Sequence, residues 1–231
     1  MGNPVIGILM LDTAFTRIKG DIGNEDTFSF PVLKKTVPDA LPTKIVEEQD
    51  PRFLNPFIDS AHALVAEGVK AITTSCGFLA MFQKELAASV KVPVFTSSLL
   101  QIPIVYSTLQ SEQKVGVLTA NSKTLSKKHY LSTDSYEIPK VVMGMENTER
   151  FYKVFVKQSD ELHIAQIKDE MRQVSLQLME QHPEVGAIVL ECTNMPPFAK
   201  VVKETTGLPV YDITTLTNWV ADGLMPRSFE V

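Results

Sequence analysis

The sequence contains little cysteine and lacks a long apolar run. Only two cysteines stand among 231 residues, far apart, so the chain does not encode the disulfide framework of a small secreted domain. The apolar run Val5–Leu11 covers seven residues, well short of the roughly 20 that a membrane-spanning helix needs. These absences predict a cytoplasmic protein with reduced thiols.

Several common ligand-binding signatures are also missing. Gly20 and Gly23 do not have the strand–turn–helix spacing of a phosphate-binding or dinucleotide-binding loop. The four histidines share no metal-ligand spacing. A net charge of −5 argues against nucleic acid or an anionic membrane surface as the main partner. The sequence therefore predicts a small molecule as the ligand.

An internal repeat contains both cysteines. The stretches Val69–Phe78 (VKAITTSCGF) and Val185–Asn194 (VGAIVLECTN) share the pattern Val-x-Ala-Ile-x-x-x-Cys, and Cys76 and Cys192 lie 116 residues apart. Each cysteine ends an apolar run typical of a buried strand and begins a stretch with helical periodicity. The two cysteines are therefore predicted to occupy equivalent places in two repeated units.

Apolar runs and amphipathic stretches alternate along the whole chain, which predicts an α/β protein with parallel sheets. Residues 4–97 and 114–213 have the layout of two copies of one unit. We predict that residues 1–98 and 208–231 form a first α/β domain and that residues 99–207 form a second.

Two such units related by a pseudo-twofold axis would place the carboxyl ends of their strands face to face. Ligands of open α/β sheets bind at those ends. We therefore expect Cys76 and Cys192 on opposite walls of one cleft. Residues 12–42 have no clear periodicity and are predicted to be a long loop, either a lid or a surface segment. A short second strand is predicted at Thr43–Glu48.

A cysteine between a strand and a helix lies near the positive end of that helix. Backbone N–H groups there stabilise a thiolate and lower the pKa of the thiol, so that the sulfur acts as a base or nucleophile. Two such sulfurs on opposite faces of one carbon atom would allow one to remove a proton and the other to return a proton. This arrangement predicts inversion of a stereocentre by two bases.

The charge that develops beside such a carbon needs nearby hydrogen-bond donors. The candidate side chains lie beside the cysteines or at the end of an equivalent strand: Ser75, Thr119, Asn121, Thr193 and Asn194. The threonines and asparagines in this set are equally well explained as helix caps.

The motifs Ser75–Phe78 (SCGF) and Glu191–Asn194 (ECTN), with the run Val115–Asn121 (VGVLTAN), resemble the aspartate/glutamate racemase superfamily. That superfamily includes amino-acid and hydantoin racemases, arylmalonate decarboxylase and maleate isomerase. The resemblance implies two Rossmann-like or flavodoxin-like domains, a site between them, and two-base chemistry without pyridoxal phosphate or metal. It also implies a homodimer.

Matched motif by motif, the resemblance implies that Cys76 and Cys192 are the acid/base pair. It implies that Thr119 and Thr193 are ligands of a substrate carboxylate.

This chain departs from the superfamily pattern beside both cysteines. Amino-acid racemases of the group usually follow the first cysteine with Asn-Thr, where this chain has Gly77 and Phe78. The residue before the second cysteine is often Gly, and here it is Glu191. These departures favour a substrate other than aspartate or glutamate, with Phe78 as an apolar wall. Side chains of the Arg17–Phe28 loop, such as Asn24, are candidates to bind an anionic group instead.

Three hypotheses follow for the function. The first is a cofactor-independent racemase or epimerase, an isomerase acting on a small carboxylate such as an amino acid or its derivative. The second is a decarboxylase or cis–trans isomerase of the same superfamily, which relies more on one cysteine. The third is a small-molecule binding protein in which both thiols are inert. Separate alanine substitutions of the two cysteines distinguish the three.

Overall fold

The computed structural model describes residues 5–226 and shows two four-stranded parallel sheets. The first sheet has the strand order β2-β1-β3-β4 and the second the order β6-β5-β7-β8. The strands of the first sheet are β1 (Ile6–Met10), β2 (Val32–Thr36), β3 (Ala71–Thr74) and β4 (Val94–Phe95). Those of the second are β5 (Lys114–Thr119), β6 (Lys140–Gly144), β7 (Val185–Leu190) and β8 (Val210–Tyr211).

The registers of the two sheets follow the sequence repeat. Ile72 pairs with Val94 in the first sheet, and Ile188 pairs with Val210 in the second, 116 residues further on in each case. Strands β1, β3 and β7 are buried along their whole length, which explains the continuous apolar sequences of β1 and β7. The predicted α/β fold with two similar parallel-sheet units is confirmed.

Helices flank both sheets. They are α1 (Leu54–Ala66), α2 (Gln83–Ser89), α3 (Ile102–Tyr106), α4 (Lys127–Ser132), α5 (Phe151–Phe155), α6 (Ile164–Gln181), α7 (Ala199–Thr206) and α8 (Ile213–Leu224). Short 3₁₀ turns precede several of them, including the turn Gly77–Phe82 that follows the first cysteine. Between residues 5 and 226, no helix is both long enough and apolar enough to cross a membrane.

The last helix of each half packs against the sheet of the other half. Helix α3 follows β4 of the first sheet but contacts β5 and β7 of the second. Helix α8 follows β8 of the second sheet, and its Ile213 and Leu216 join the apolar cluster around Ile6 and Ile8 of β1. Strand β8 itself pairs with β7, so the predicted return to the first domain at residue 208 comes one strand too early. Residues 1–4 and 227–231 of the predicted first domain lie outside the described residues.

Two predictions for residues 12–48 are wrong. The second strand of the first sheet is β2, inside the predicted loop, whereas Thr43–Glu47 forms a π-helical turn that buries Ile45 and Val46. Strand β2 has the sequence VLKKT and is an edge strand with one neighbour, so its side chains are half-buried or exposed and show no apolar run. Because β2 pairs with β1, residues 43–48 cannot pair with that edge of β1.

Candidate active site

A cavity lies between the two units at the carboxyl ends of their strands. Its walls include Cys76, two residues after the end of β3, and Cys192, two residues after the end of β7. Cys76 is buried and Cys192 is half-buried, and the cavity that they line is narrow, with room for little more than one water molecule.

The loop after β1 covers this cavity and contacts the second unit. Phe15 packs edge-to-face on Phe155 of α5, with ring centroids 5.1 Å apart. The backbone N–H of Ala14 donates a hydrogen bond to Gln158 Oε1 at 2.7 Å. Phe15 and Phe155 both line the cavity, so this segment of the long loop covers the site.

Backbone and side-chain contacts hold the two cysteine turns against each other. The Ser75 hydroxyl accepts a hydrogen bond from the N–H of Leu11 at 2.8 Å. The Thr193 hydroxyl donates to the Ser75 carbonyl oxygen at 2.6 Å, which joins the turn after β7 to the turn after β3. Ser75 and Thr193, both predicted site residues, line the cavity. The Thr193 hydroxyl already donates its hydrogen to Ser75, so it has no hydrogen left to donate to a ligand.

Backbone N–H groups point at both thiols, as expected for cysteines at the start of a turn. Those of Phe78 and Leu79 face Cys76, and that of Asn194 faces Cys192. Burial nevertheless raises the pKa of both thiols, and the negative charge of Glu191 raises each pKa further. The expectation of lowered thiol pKa values is therefore wrong, because desolvation raises each pKa more than the N–H groups lower it.

Glu191 contributes a buried carboxyl group to the cavity that both thiols line. Its side chain is fully buried, and its Oε2 accepts a hydrogen bond from the Thr119 hydroxyl at 2.8 Å. Its Oε1 is buried and has no hydrogen-bond partner among the described residues. Burial raises the pKa of Glu191 to about 7, against the lowering effect of the hydrogen bonds from Thr119 and the Ala120 N–H.

The Glu191 carboxyl occupies the space that a side chain at position 77 would need. A methyl group built on Gly77 would overlap both the backbone carbonyl oxygen and Oε1 of Glu191. By the 116-residue repeat, position 77 corresponds to Thr193 and position 191 to Ser75. The contact between 77 and 191 is therefore the pseudo-symmetric counterpart of the contact between 193 and 75. Gly77 and Glu191, where the chain departs from the superfamily pattern, therefore contact each other, and the small residue at 77 makes room for the carboxyl at 191.

An ion pair and an amide extend the site toward the long loop. Arg17 lines the cavity, and its guanidinium donates to Asp21 Oδ1 at 2.7 Å and to the Thr13 hydroxyl at 3.0 Å. The other oxygen of buried Asp21 accepts a hydrogen bond from Asn194 Nδ2 at 2.6 Å. The Cys192 thiol donates to Asn194 Oδ1 at 3.6 Å. Asn194 therefore links the second thiol to the loop after β1.

Of the remaining predicted site residues, some line the cavity and the others lie behind the residues that line it. Gly77 and Phe78 line the cavity, and Phe78 packs edge-to-face on His129 at 5.0 Å. Thr119 lies behind Glu191, whose carboxyl it orients. Asn121 donates from Nδ2 to the Tyr152 hydroxyl at 2.8 Å and does not line the cavity. Asn24 does not line it either, and its Nδ2 donates to the backbone oxygen of Arg17.

The sequence reasoning missed the Glu191 carboxyl, Asp21, and Phe155 and Val156 at the C-terminal end of α5. Glu191 was noted only as a departure, although an acidic residue between a buried strand and a cysteine is itself a sequence signal. Asp21 stands in a polar loop and has no local signal. Helix α5 covers five residues, too few for a helical periodicity to show.

The fold matches solved structures along nearly the whole chain. Unliganded arylmalonate decarboxylase superposes with a TM-score of 0.61 at 13% identity, covering 98% of this chain and 94% of that one. Aspartate racemase from Picrophilus torridus superposes with a TM-score of 0.58 at 16% identity, covering 98% and 96%. The chain therefore has the fold of the aspartate/glutamate racemase superfamily, as the sequence resemblance predicts.

Comparison with curated protein sequences identifies a narrower family than the comparison of folds does. The chain is 31% identical over 228 residues to the dimethylsulfoniopropionate lyase of Durusdinium sp. clade D, which covers 95% of this chain and 75% of that protein. It is 27% identical to dimethylsulfoniopropionate lyase 7 of Emiliania huxleyi, over 96% of this chain and 67% of that protein. No family model matches. The chain belongs to the dimethylsulfoniopropionate lyase family.

Proposed function

We propose that this protein is a carbon–sulfur lyase that eliminates dimethyl sulfide from dimethylsulfoniopropionate or a closely similar onium-substituted propionate. The observation that carries the proposal is the 31% identity to the Durusdinium enzyme across 95% of this chain. The thiol-lined cavity between the two units supports it, because it offers the base that such an elimination needs.

The chemistry is a β-elimination. A base removes a proton from the carbon next to the carboxylate, a double bond forms, and the carbon–sulfur bond breaks with its electron pair leaving on sulfur. The products are acrylate, dimethyl sulfide and a proton. Only one base is needed, and our candidates for it are Cys76 and Cys192, which both line the cavity. A closed cavity would exclude water from the reacting carbon.

The charges around the thiols favour a substrate with a cationic end. Glu191 and Asp21 contribute two buried carboxyl groups near the sulfurs, against the single guanidinium of Arg17. A sulfonium group beside the thiols would stabilise a thiolate and so lower the thiol pKa that burial raises. The substrate would thereby help to generate its own base. Arg17 would hold the carboxylate end.

The same charges argue against a dicarboxylic amino acid. Where racemases of the superfamily usually have an asparagine that grips a carboxylate, this chain has Gly77, and the acidic side chain of Glu191 fills the space. A substrate carboxylate placed there would face a buried like charge, which is strongly unfavourable.

Substrate entry requires the covering loop to move. The space around the thiols is too small for dimethylsulfoniopropionate in the closed form. The Ala14–Gln158 hydrogen bond and the Phe15–Phe155 contact join the loop to the second unit. Breaking these two contacts would open the cavity without disturbing either sheet.

A two-base racemase or epimerase is the second candidate. The observation that favours it is that both thiols line one cavity in equivalent positions of the two units. A racemase uses both sulfurs, one to remove the proton and one to return it, whereas an elimination uses one.

The decisive experiment compares wild type with Cys76→Ser and Cys192→Ser. Each protein is incubated in heavy water with dimethylsulfoniopropionate and, separately, with a panel of amino acids. Dimethyl sulfide is measured by gas chromatography, and proton exchange at the carbon next to the carboxylate is measured by NMR. We expect wild type to release dimethyl sulfide and one serine variant to lose about 10²–10⁴-fold in rate, with a smaller loss in the other.

Equal loss in both variants, with exchange into an amino acid and no dimethyl sulfide, would establish the racemase instead. Circular dichroism of all three proteins serves as the folding control. Activity that survives in both serine variants would exclude the thiols as the base.

A further inference from the structure

We propose that Asn194 holds the Cys192 thiol as a hydrogen-bond donor and so leaves Cys76 as the base of the elimination. Asn194 acts through the sulfur and not on the reacting carbon, so it is a positioning residue. The proposal rests on the lyase function for the reaction that it assigns to Cys76. The hydrogen bonding of the two thiols is independent of the substrate and is tested separately.

A chain of hydrogen bonds runs from Arg17 to Cys192. Asp21 Oδ1 accepts from the Arg17 guanidinium at 2.7 Å and from the N–H of Gly23 at 2.8 Å. Asp21 Oδ2 accepts from Asn194 Nδ2 at 2.6 Å, and the Cys192 sulfur lies 3.6 Å from Asn194 Oδ1. Asp21 and Asn194 are both buried, so the protein itself supplies the hydrogen-bond partners of both side chains.

The direction of this chain follows from Asp21. A carboxylate can only accept hydrogen bonds, so Asn194 must turn its amide nitrogen toward Asp21 and its amide oxygen toward Cys192. The amide oxygen also can only accept, so the thiol of Cys192 donates its hydrogen to it. A thiolate at Cys192 would face the lone pairs of that oxygen. The arrangement therefore favours the protonated form of Cys192.

Cys76 has no counterpart of this acceptor. By the 116-residue repeat, position 78 corresponds to Asn194, and the side chain of Phe78 cannot accept the hydrogen of a thiol. The backbone N–H groups of Phe78 and Leu79 face the Cys76 sulfur instead, and such donors stabilise a thiolate. The two thiols occupy equivalent places in the fold but have different hydrogen-bond partners.

The charges near the two sulfurs add to this difference. Burial and the charge of Glu191 raise the pKa of both thiols and so do not distinguish them. The Arg17 guanidinium lowers the pKa of Cys76, whereas the Asp21 carboxylate raises the pKa of Cys192. A thiolate at Cys76 raises the pKa of Cys192 as well. Ionisation of the first thiol therefore opposes ionisation of the second.

The proposed reaction conserves protons and electrons. The Cys76 S–H bond breaks when the substrate is bound, and its proton passes to water. The thiolate then takes the proton beside the substrate carboxylate, the double bond forms, and the carbon–sulfur bond breaks with its electron pair on dimethyl sulfide. Cys76 is then a thiol again. The S–H bond of Cys192 stays intact, so this sulfur does not return a proton to the carbon as a two-base racemase requires.

The first test reverses the direction of the chain with Asp21→Asn, which keeps the size of the side chain. The new amide can donate to Asn194 Oδ1, so Asn194 can turn its own N–H groups toward Cys192 and stabilise a thiolate there. Iodoacetamide labelling of each cysteine is measured against pH by mass spectrometry. We expect labelling at pH 8 to become at least threefold faster at Cys192, with a smaller change at Cys76. Unchanged labelling of Cys192 would contradict the proposal.

A second variant shows whether the amide of Asn194 carries the effect. Asn194→Leu keeps the size of the side chain and removes the acceptor, so Cys192 should label faster than in wild type. Adding Asp21→Asn to Asn194→Leu should then give little further gain, because no amide is left to turn. A gain as large as in Asp21→Asn alone would show that the Asp21 charge acts directly on the sulfur, and the proposal would be wrong.

The matched control for Asp21→Asn is Asp169→Asn. Asp169 lies on the exposed side of α6 and pairs with Arg172. This variant should label as wild type does at both cysteines. Circular dichroism of every variant serves as the folding control. The charged or titratable side chains that face the two sulfurs are Glu191, Arg17 and Asp21.

The second test measures kcat for dimethyl sulfide release in the two serine variants. Cys76→Ser should lose about 10²–10⁴-fold, because it removes the base. Cys192→Ser should stay within about tenfold of wild type, since a serine hydroxyl can donate to Asn194 Oδ1 as the thiol does. A larger loss in Cys192→Ser than in Cys76→Ser would overturn the assignment of Cys76 as the base.

A failure of the lyase function would appear differently. Wild type would then release no dimethyl sulfide, while labelling in Asp21→Asn and Asn194→Leu would still decide whether Asn194 controls Cys192. If dimethyl sulfide is released but Cys192→Ser shows the larger loss, the lyase function stands and the proposal fails.

Discussion

Substituting alanine for Gly77 should destabilise the protein strongly for such a small change. The added methyl group would overlap the backbone carbonyl oxygen of Glu191 as well as Oε1 of its side chain. Oε1 can rotate away, but the carbonyl oxygen belongs to the backbone directly after β7 and moves only when that backbone moves. We therefore place the cost at the upper end of the overpacking range, about 3 kcal/mol. At roughly 2–4 °C for each kcal/mol in a chain of this size, the melting temperature should fall by about 6–12 °C.

Differential scanning calorimetry of Gly77→Ala measures this shift. Gly223→Ala is the matched control, because Gly223 lies in α8 with no heavy atom within 4 Å of the added methyl group. This control should be stabilised by about 0.5–1 kcal/mol, since alanine favours a helix interior. Combining Gly77→Ala with Glu191→Gly should recover only the side-chain part of the loss. A Gly77→Ala protein that melts within 2 °C of wild type, on the order of less than 1 kcal/mol, would refute the packing argument.

Two further predictions concern stability. The pKa of Glu191 is about 7 in the folded protein against an ordinary 4.5, so the folded protein holds this proton more tightly than the unfolded chain does. The free energy of unfolding should therefore be highest below pH 4.5 and should fall by roughly 3 kcal/mol as the pH rises through 7. Urea unfolding of Glu191→Gln at a series of pH values should lack this fall. Tyr152→Phe removes the hydroxyl that donates to Glu47 Oε1 at 2.6 Å and accepts from Asn121, so its unfolding free energy should fall by about 1–2 kcal/mol, whereas an unchanged value would show that this link between the units contributes nothing.

The sequence predicted the parts of the fold that depend on local pattern. Strands β1, β3, β5 and β7 are central in their sheets. Burial on both faces makes β1 and β7 continuously apolar and leaves threonines and one terminal lysine as the polar residues of β3 and β5. The repeat around Cys76 and Cys192 then fixed the relationship between the halves. Strand β2 was missed because its pairing with β1, Met10 opposite Thr36, joins segments 26 residues apart and leaves no apolar pattern.

The candidate site was predicted in its location but not in its electrostatics. Both cysteines line the cavity between the units, as the repeat indicates. The pKa of each thiol depends on burial and on the Glu191 charge, and both arise from packing across the two units. The contact between Gly77 and Glu191 joins residues 114 positions apart, so neither residue alone reveals why the other is present.

The exchange of terminal helices between the halves bears on how the chain folds. Helix α3 is made by the first half and covers the second sheet, whereas α8 is made by the second half and covers the first. Neither half can complete its own core, so the two are interlocked and should unfold in one cooperative transition. The hydrophobic effect that stabilises each core also holds the two halves together. The loop after β1, and not a hinge between rigid domains, is therefore the part that moves to admit a ligand.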